Sequence, residues 1–292
     1  MRIELKRGAH TAAVETKGGE LVSFRDEQGV EYIWGGDPKS WQGRNPNLFP
    51  IVGNLKDGRV SIGGRSYEMA RHGFARQSEF TVAEQGEDHV VLELRHSPET
   101  LERYPYPFVL RVRHQLTGTG FSTQFEVQAP GEEELLFCVG AHTGINCPLR
   151  EGERFEDYRL VFDQVEDIQP MIPTAQGLLD GERGPGLDHT DTLPLDHAVF
   201  DRVDTLIFEG LRSKGVTLRH KDGGRGVHME FEEFPMIAFW TMPNAGAPYL
   251  CLEPWHGCAA WEDESGDFAD KPHVIRLAPG EVKKLSYTVE LR

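Results

Sequence analysis

The chain has 292 residues, 38% of them apolar and 27% charged, a balance that supports a packed core and excludes wholesale disorder. Thirty-one Lys and Arg against 47 Asp and Glu give a formal charge of −16, which would repel nucleic acid and anionic membranes and leaves a neutral ligand as the better expectation. No run of about 18 uncharged apolar residues occurs and the start, MRIELKRGAH, has no apolar signal core, so the expectation is a cytoplasmic protein.

In chain order, short alternating runs fall at residues 2–6, 20–24, 89–95, 108–116, 121–127, 216–220, 227–231 and 285–291. Their period of two is that of half-buried strands. Between them Gly18-Gly19, Asp57-Gly58, Gly63-Gly64 and Pro279-Gly280 supply the backbone conformations that tight turns need. Only residues 97–103 read as helix, with Ser97 as cap and Pro98 at the first helical position. No fixed-period repeat suggests a propeller or solenoid, so two antiparallel sheets packed face to face are expected. Residues 177–194, rich in Gly, Asp and Pro, read as a long functional loop inside one domain spanning 1–292.

Four patches combine titratable side chains with turn residues. Arg44 precedes two X-Pro turns in Arg44-Asn45-Pro46-Asn47-Leu48-Phe49-Pro50, and a rigidly held guanidinium there could reach a hydroxyl. In Arg71-His72-Gly73-Phe74-Ala75-Arg76 the glycine admits close backbone approach and Phe74 could floor a sugar. His142 ends an apolar strand between Gly140 and Gly144, where an imidazole could give and retake a proton. Glu253 closes the apolar run Tyr249-Leu250-Cys251-Leu252 and is followed by Pro254 and Trp255. An unpaired carboxylate is costly to bury, so packing alone does not explain it. Each has a structural alternative: a surface arginine, a satisfied core histidine, a glutamate answering backbone amides, a packed tryptophan.

The acidic runs at 132–134 and 262–264 read as solvated faces. Cys138, Cys147, Cys251 and Cys258 form no CxxC pair or zinc-module spacing and read as reduced structural thiols, with a disulfide from Cys251 to Cys138 or Cys147 as the open alternative. GxSxG, phosphate-loop, GxGxxG and HExxH patterns are absent, and the twelve histidines lack ligand spacing. No metal or organic cofactor is called for.

Taken in order, Asn47-Leu48-Phe49-Pro50-Ile51-Val52-Gly53, His72-Gly73-Phe74-Ala75-Arg76, Tyr104-Pro105-Tyr106-Pro107-Phe108, Gly140-Ala141-His142, Phe200-Asp201-Arg202-Val203-Asp204 and Leu252-Glu253-Pro254-Trp255 resemble the aldose 1-epimerase (galactose mutarotase) family, in its LacX-like bacterial branch. The resemblance implies an all-β β-supersandwich with a monosaccharide in an open cleft. It implies Glu253 as general base, His142 as general acid, and Arg44, His72 and Asp204 as holders of the sugar hydroxyls, with Arg76 a retained arginine of the same motif; Trp255, by its own chemistry, could stack on a pyranose. The family's proline and aromatic after the acid histidine are replaced here, where Thr143 and Ile145 stand, and an asparagine common upstream is replaced near Gln128. Ring opening of a hemiacetal removes a proton from the anomeric hydroxyl while another reaches the ring oxygen, so two oppositely protonated groups must flank adjacent atoms. The expected function is therefore anomer interconversion of a free hexose by a monomer or homodimer. The alternatives are a hexose-6-phosphate epimerase, which needs clustered cations, and a sugar-binding module without turnover.

Overall fold

The computed structural model describes residues 1–292 as an all-β protein with two short α-helices. One antiparallel sheet has nine strands in the order Leu187–Pro194, Tyr158–Ile168, Gly215–His220, Gly226–Glu230, Val282–Leu291, Gly120–Gln128, Val109–Leu116, His89–Arg95 and Thr81–Gln85. Its strands carry the alternation visible in the sequence: Phe121, Thr123, Phe125 and Val127 are buried while the residues between them are half-exposed.

The other large sheet runs Leu179–Arg183, Met171–Pro173, Thr205–Glu209, Met236–Trp240, Tyr249–His256, Val139–Ala141 and Asn47–Leu48, with Thr143–Asn146 also paired to Tyr249–His256. Tyr249–His256 is buried on both faces up to its last residue, which is why it reads as a continuous apolar run. Aromatic side chains join the sheets: Phe162 of the first lies 5.6 Å from Phe208 and 6.0 Å from Phe239 of the second, ring centre to ring centre. A contiguous apolar core reaches from Ile3 to Val289, so both ends of the chain are built into it. Within an area-based view, each fully buried Phe, Leu or Ile in this core contributes about 1.5–3 kcal/mol.

The helix Pro98–Arg103 forms where the Ser97 cap predicts it; Ser97 Oγ accepts the Thr100 N–H at 3.2 Å. Residues 177–194 are not a loop. They form the edge strands Leu179–Arg183 and Leu187–Pro194, whose polar faces are exposed and which therefore lack the apolar alternation that betrays a strand. Within the acidic run at 262–264, Glu264 is not solvated: it pairs with the buried Lys271 at 3.3 Å and accepts the Trp261 N–H. All four cysteines are free and buried. No helix is long and apolar enough to cross a membrane.

Candidate functional site

An open cleft of about 220 Å³ lies over the eight-stranded sheet, lined by His72, Arg76, His142, Asp204, Glu253 and Trp255 together with Trp41, Asn54, Arg71, Thr205, Trp240 and Met242. Strand register explains how residues over a hundred positions apart meet here. Gly140 faces Trp255 and Thr143 faces Leu252, so His142, in the gap between two short strands, stands opposite Glu253 on one ladder. The side chains meet: Nε2 of His142 is 3.4 Å from Oε2 of Glu253. That is longer than a good hydrogen bond, and both His142 Nδ1 and Glu253 Oε2 are buried without a partner. Buried orphan polar atoms are costly, about 1–3 kcal/mol each, and two beside one cleft point to a ligand that completes them.

Burial raises Glu253 well above the usual carboxylate range, and the nearby Asp204 charge adds to it. Burial also pulls His142 down to about 3, helped by the positive charge of Arg76. Both shifts favour the uncharged pair, a carboxylic acid facing a neutral imidazole, so the pair holds one proton, on the carboxyl. Opposed shifts on neighbouring groups are a mark of acid–base sites.

His72 is neutral as well, driven well below its ordinary value by burial and then by the charge of His142. Its Nδ1 accepts the Gly53 N–H at 3.1 Å, which leaves the ring proton on Nε2. Gly53 is required for that bond: its φ is +74° and a Cβ would stand 2.5 Å from the Ala259 Cα. Asp204 sits just past the helix His197–Val203 at φ 62° and ψ −69°, a strained conformation for a residue with a side chain. The carboxylate is held there by Trp240 Nε1 at 3.3 Å and the Thr205 hydroxyl at 2.7 Å.

Arg76 lines the cleft with its Nε buried and unpartnered, while one Nη donates to the Arg71 carbonyl at 2.9 Å. Arg71 Nε donates to Asn54 Oδ1 at 2.9 Å. Neither guanidinium has a carboxylate partner.

Arg44 is elsewhere. Its Nε donates to the Gly35 carbonyl and its Nη1 faces Glu15 at 3.8 Å, so its guanidinium is engaged outside the residues that line the cleft. The backbone of this segment does the work: Gly144 N–H donates to the Arg44 carbonyl at 2.8 Å and Trp34 N–H to the Gly144 carbonyl at 2.9 Å, and these bonds bring Trp41 over His142 with ring centres 4.7 Å apart. Gly144 permits that approach, since a Cβ would stand 2.9 Å from the Arg44 carbonyl and 3.0 Å from the Trp41 ring.

Trp41, Trp240 and Met242 were not singled out in the sequence. Trp41 and Trp240 stand at 5.5 Å in an edge-on pair and form an aromatic wall with Tyr249. A loop tryptophan three residues before Arg44 was the available signal. The replacements after His142 lie away from the cleft: Thr143 Oγ1 donates to Asn45 Oδ1 at 2.8 Å and Ile145 is core. Gln128 belongs to the nine-stranded sheet and does not line the cleft.

The family profile described as aldose 1-epimerase matches residues 1–290. The chain belongs to the aldose 1-epimerase family. The LacX protein of Lactococcus lactis subsp. lactis is 37% identical over 299 aligned positions, covering 100% of this chain and 99% of LacX. A galactose mutarotase related enzyme from Lactobacillus acidophilus superposes with a TM-score of 0.93 at 28% identity, over 100% of this chain and 97% of that one. A galactose mutarotase-like protein from Lactobacillus casei superposes with the same TM-score at 26% identity, covering both chains in full. The galactose mutarotase-like fold of this epimerase-family chain is thus shared along its whole length.

Proposed function

We propose that the chain catalyses the interconversion of the α and β anomers of a free hexose, with Glu253 as base and His142 as acid. The observation that carries this reading is the pair itself: a carboxyl and an imidazole 3.4 Å apart, both buried at the side of an open cleft, with Glu253 Oε2 unpartnered and facing His142 Nε2. The two oxygens on an anomeric carbon are neighbours, so one group addresses the hydroxyl while the other addresses the ring oxygen.

In this mechanism the pair's proton passes from Glu253 to His142 as the sugar binds, leaving Glu253 as carboxylate. Glu253 takes the proton from the anomeric hydroxyl as His142 delivers one to the ring oxygen, and the C1–O5 bond breaks. Rotation about C1–C2 presents the other carbonyl face, and reversal of both transfers closes the ring inverted. The redistribution inside the pair leaves its net charge unchanged but separates charge, which burial opposes, so the bound sugar has to supply the hydrogen bonds that stabilise the imidazolium and the carboxylate. His72 Nε2–H and the Asp204 carboxylate supply a donor and an acceptor for the remaining hydroxyls, and Trp41 and Trp240 offer the apolar faces that the C–H side of a pyranose requires.

The unpaired Arg71 and Arg76 favour a second reading, a sugar carrying a phosphate, because a dianion would answer both guanidinium groups. Polarimetry on freshly dissolved α-glucose and α-galactose tests the first reading, and the same rates on glucose 6-phosphate test the second. Calorimetric binding of either sugar without acceleration of its mutarotation would leave a binding module and overturn the enzymatic proposal.

A further inference from the structure

Cys251 has no part in the chemistry above, yet it shares the cleft-facing side of its strand with Glu253, two residues on. One ligand atom from each of His142, Cys251 and Glu253 lies within 4.8 Å of the others, and all three residues are buried. A tetrahedral ion bound by nitrogen and oxygen at about 2.0–2.1 Å holds those atoms about 3.3–3.4 Å apart. The Nε2–Oε2 separation of 3.4 Å already has that value. Imidazole, thiolate and carboxylate together suit zinc and similar thiophilic cations, and three protein ligands beside an open cleft leave a fourth position for water or ligand.

We infer that His142, Cys251 and Glu253 form a site for one thiophilic divalent cation, zinc above all, that excludes the sugar and blocks turnover. The unpartnered Glu253 Oε2, nine-tenths buried or more and turned to His142, is the atom such an ion would satisfy. On binding, the Cys251 thiol proton and any proton on Glu253 pass to solvent as H⁺, and the metal–sulfur, metal–nitrogen and metal–oxygen bonds form with no change of oxidation state. Asp204 adds negative charge nearby and Arg76 opposes with positive charge, as their effects on Glu253 and His142 show. His142 Nδ1 lacks the carbonyl or carboxylate that ordinarily orients a metal-bound imidazole. These last two features mark a reversible inhibitory ion rather than a resident one.

The inhibition rests on the proposed mutarotase activity; the ion site does not. Cobalt(II) and zinc(II) added to the purified chain test the two apart. The expected result is one equivalent bound, a cobalt–thiolate charge-transfer band, displacement of that band by zinc, and zinc inhibition relieved by excess sugar. In Cys251→Ser the band should vanish and zinc affinity fall by about tenfold or more, while metal-free mutarotation stays within about threefold because the thiol touches no reacting atom. Absence of the band in the wild-type chain, or its persistence in Cys251→Ser, overturns the site. A band in a chain that does not accelerate mutarotation sinks the enzymatic reading and leaves the ion site standing.

Discussion

Replacing Glu253 with Gln should inactivate the protein and at the same time make it more stable in mild alkali. Loss of the base removes a contribution of about 10²–10⁴ in rate, or about 3–5 kcal/mol of transition-state stabilisation at 1.36 kcal/mol per tenfold. Sugar affinity should stay within about tenfold, since the amide keeps the shape and an acceptor. The stability effect follows from linkage. Burial raises the folded-state pKa of Glu253 above its unfolded value, so the folded state holds a proton that the unfolded state releases. Stability from this group is therefore complete below the unfolded pKa and is lost as pH rises through the folded pKa. His142 runs the other way: brought down to about 3 by burial, it adds stability above its unfolded value that is lost as pH falls. Above about pH 6.5 an unfolded histidine is itself largely neutral, so His142 drops out and Glu253 remains. In that window the wild-type chain should lose up to about 1.4 kcal/mol per pH unit relative to Glu253→Gln. Urea unfolding of both chains at intervals from pH 6.5 to 8.5 measures the difference. Parallel pH dependences would refute the reasoning, because they would mean that Glu253 ionises in the folded protein at its ordinary pKa.

Asp204→Asn should weaken sugar binding and, by removing the charge that helps raise Glu253, shift to lower pH whichever limb of the kcat/KM profile reports that carboxyl. Trp41→Ala, which strips a ring from the His142 face, should raise KM about three- to tenfold, the equivalent of about 0.5–1.5 kcal/mol of aromatic contact; an unchanged KM would place the sugar elsewhere in the cleft. Arg44→Ala should leave the polarimetric rate within about twofold and cost less than about 1 kcal/mol, as for an exposed ion pair, whereas Arg71→Ala should weaken ligand binding; equal losses would return Arg44 to the site. Gly53→Ala, forced into positive φ against Ala259, should destabilise by about 2–4 kcal/mol in denaturant titration, combining left-handed strain with overpacking.

What could be read from the sequence tracks what local chemistry records. Strands such as Gly120–Gln128 alternate because one face is buried, and Ser97-Pro98 announces its helix. The edge strands at 179–183 and 187–194 escaped because exposure on both sides erases that alternation. At the site, Glu253 stood out as a carboxylate where burial is costly and His142 as an imidazole ending an apolar strand between glycines, and the structure brings them together. The Arg44 side chain lies outside the cleft for a reason of scale: a short motif shows that a segment is held rigidly but not which part of it lines a cleft, and here the Arg44 carbonyl pins Gly144 while Trp41 provides the cleft wall. Trp41 and Trp240 went unseen because a tryptophan lining a cleft and one filling a core have the same local signature.

His142 joins two short strands that pair with the strand carrying Glu253, and the common register sets the two residues opposite each other. Their spacing is consequently set by the pitch between hydrogen-bonded strands, a dimension common to every β-sheet, and not by the folding of any loop. Arg71, Asn54 and Trp41, by contrast, all come from connecting segments. Substitutions in those segments would reshape the wall of the cleft while the register that pairs His142 with Glu253 stays as the sheet sets it.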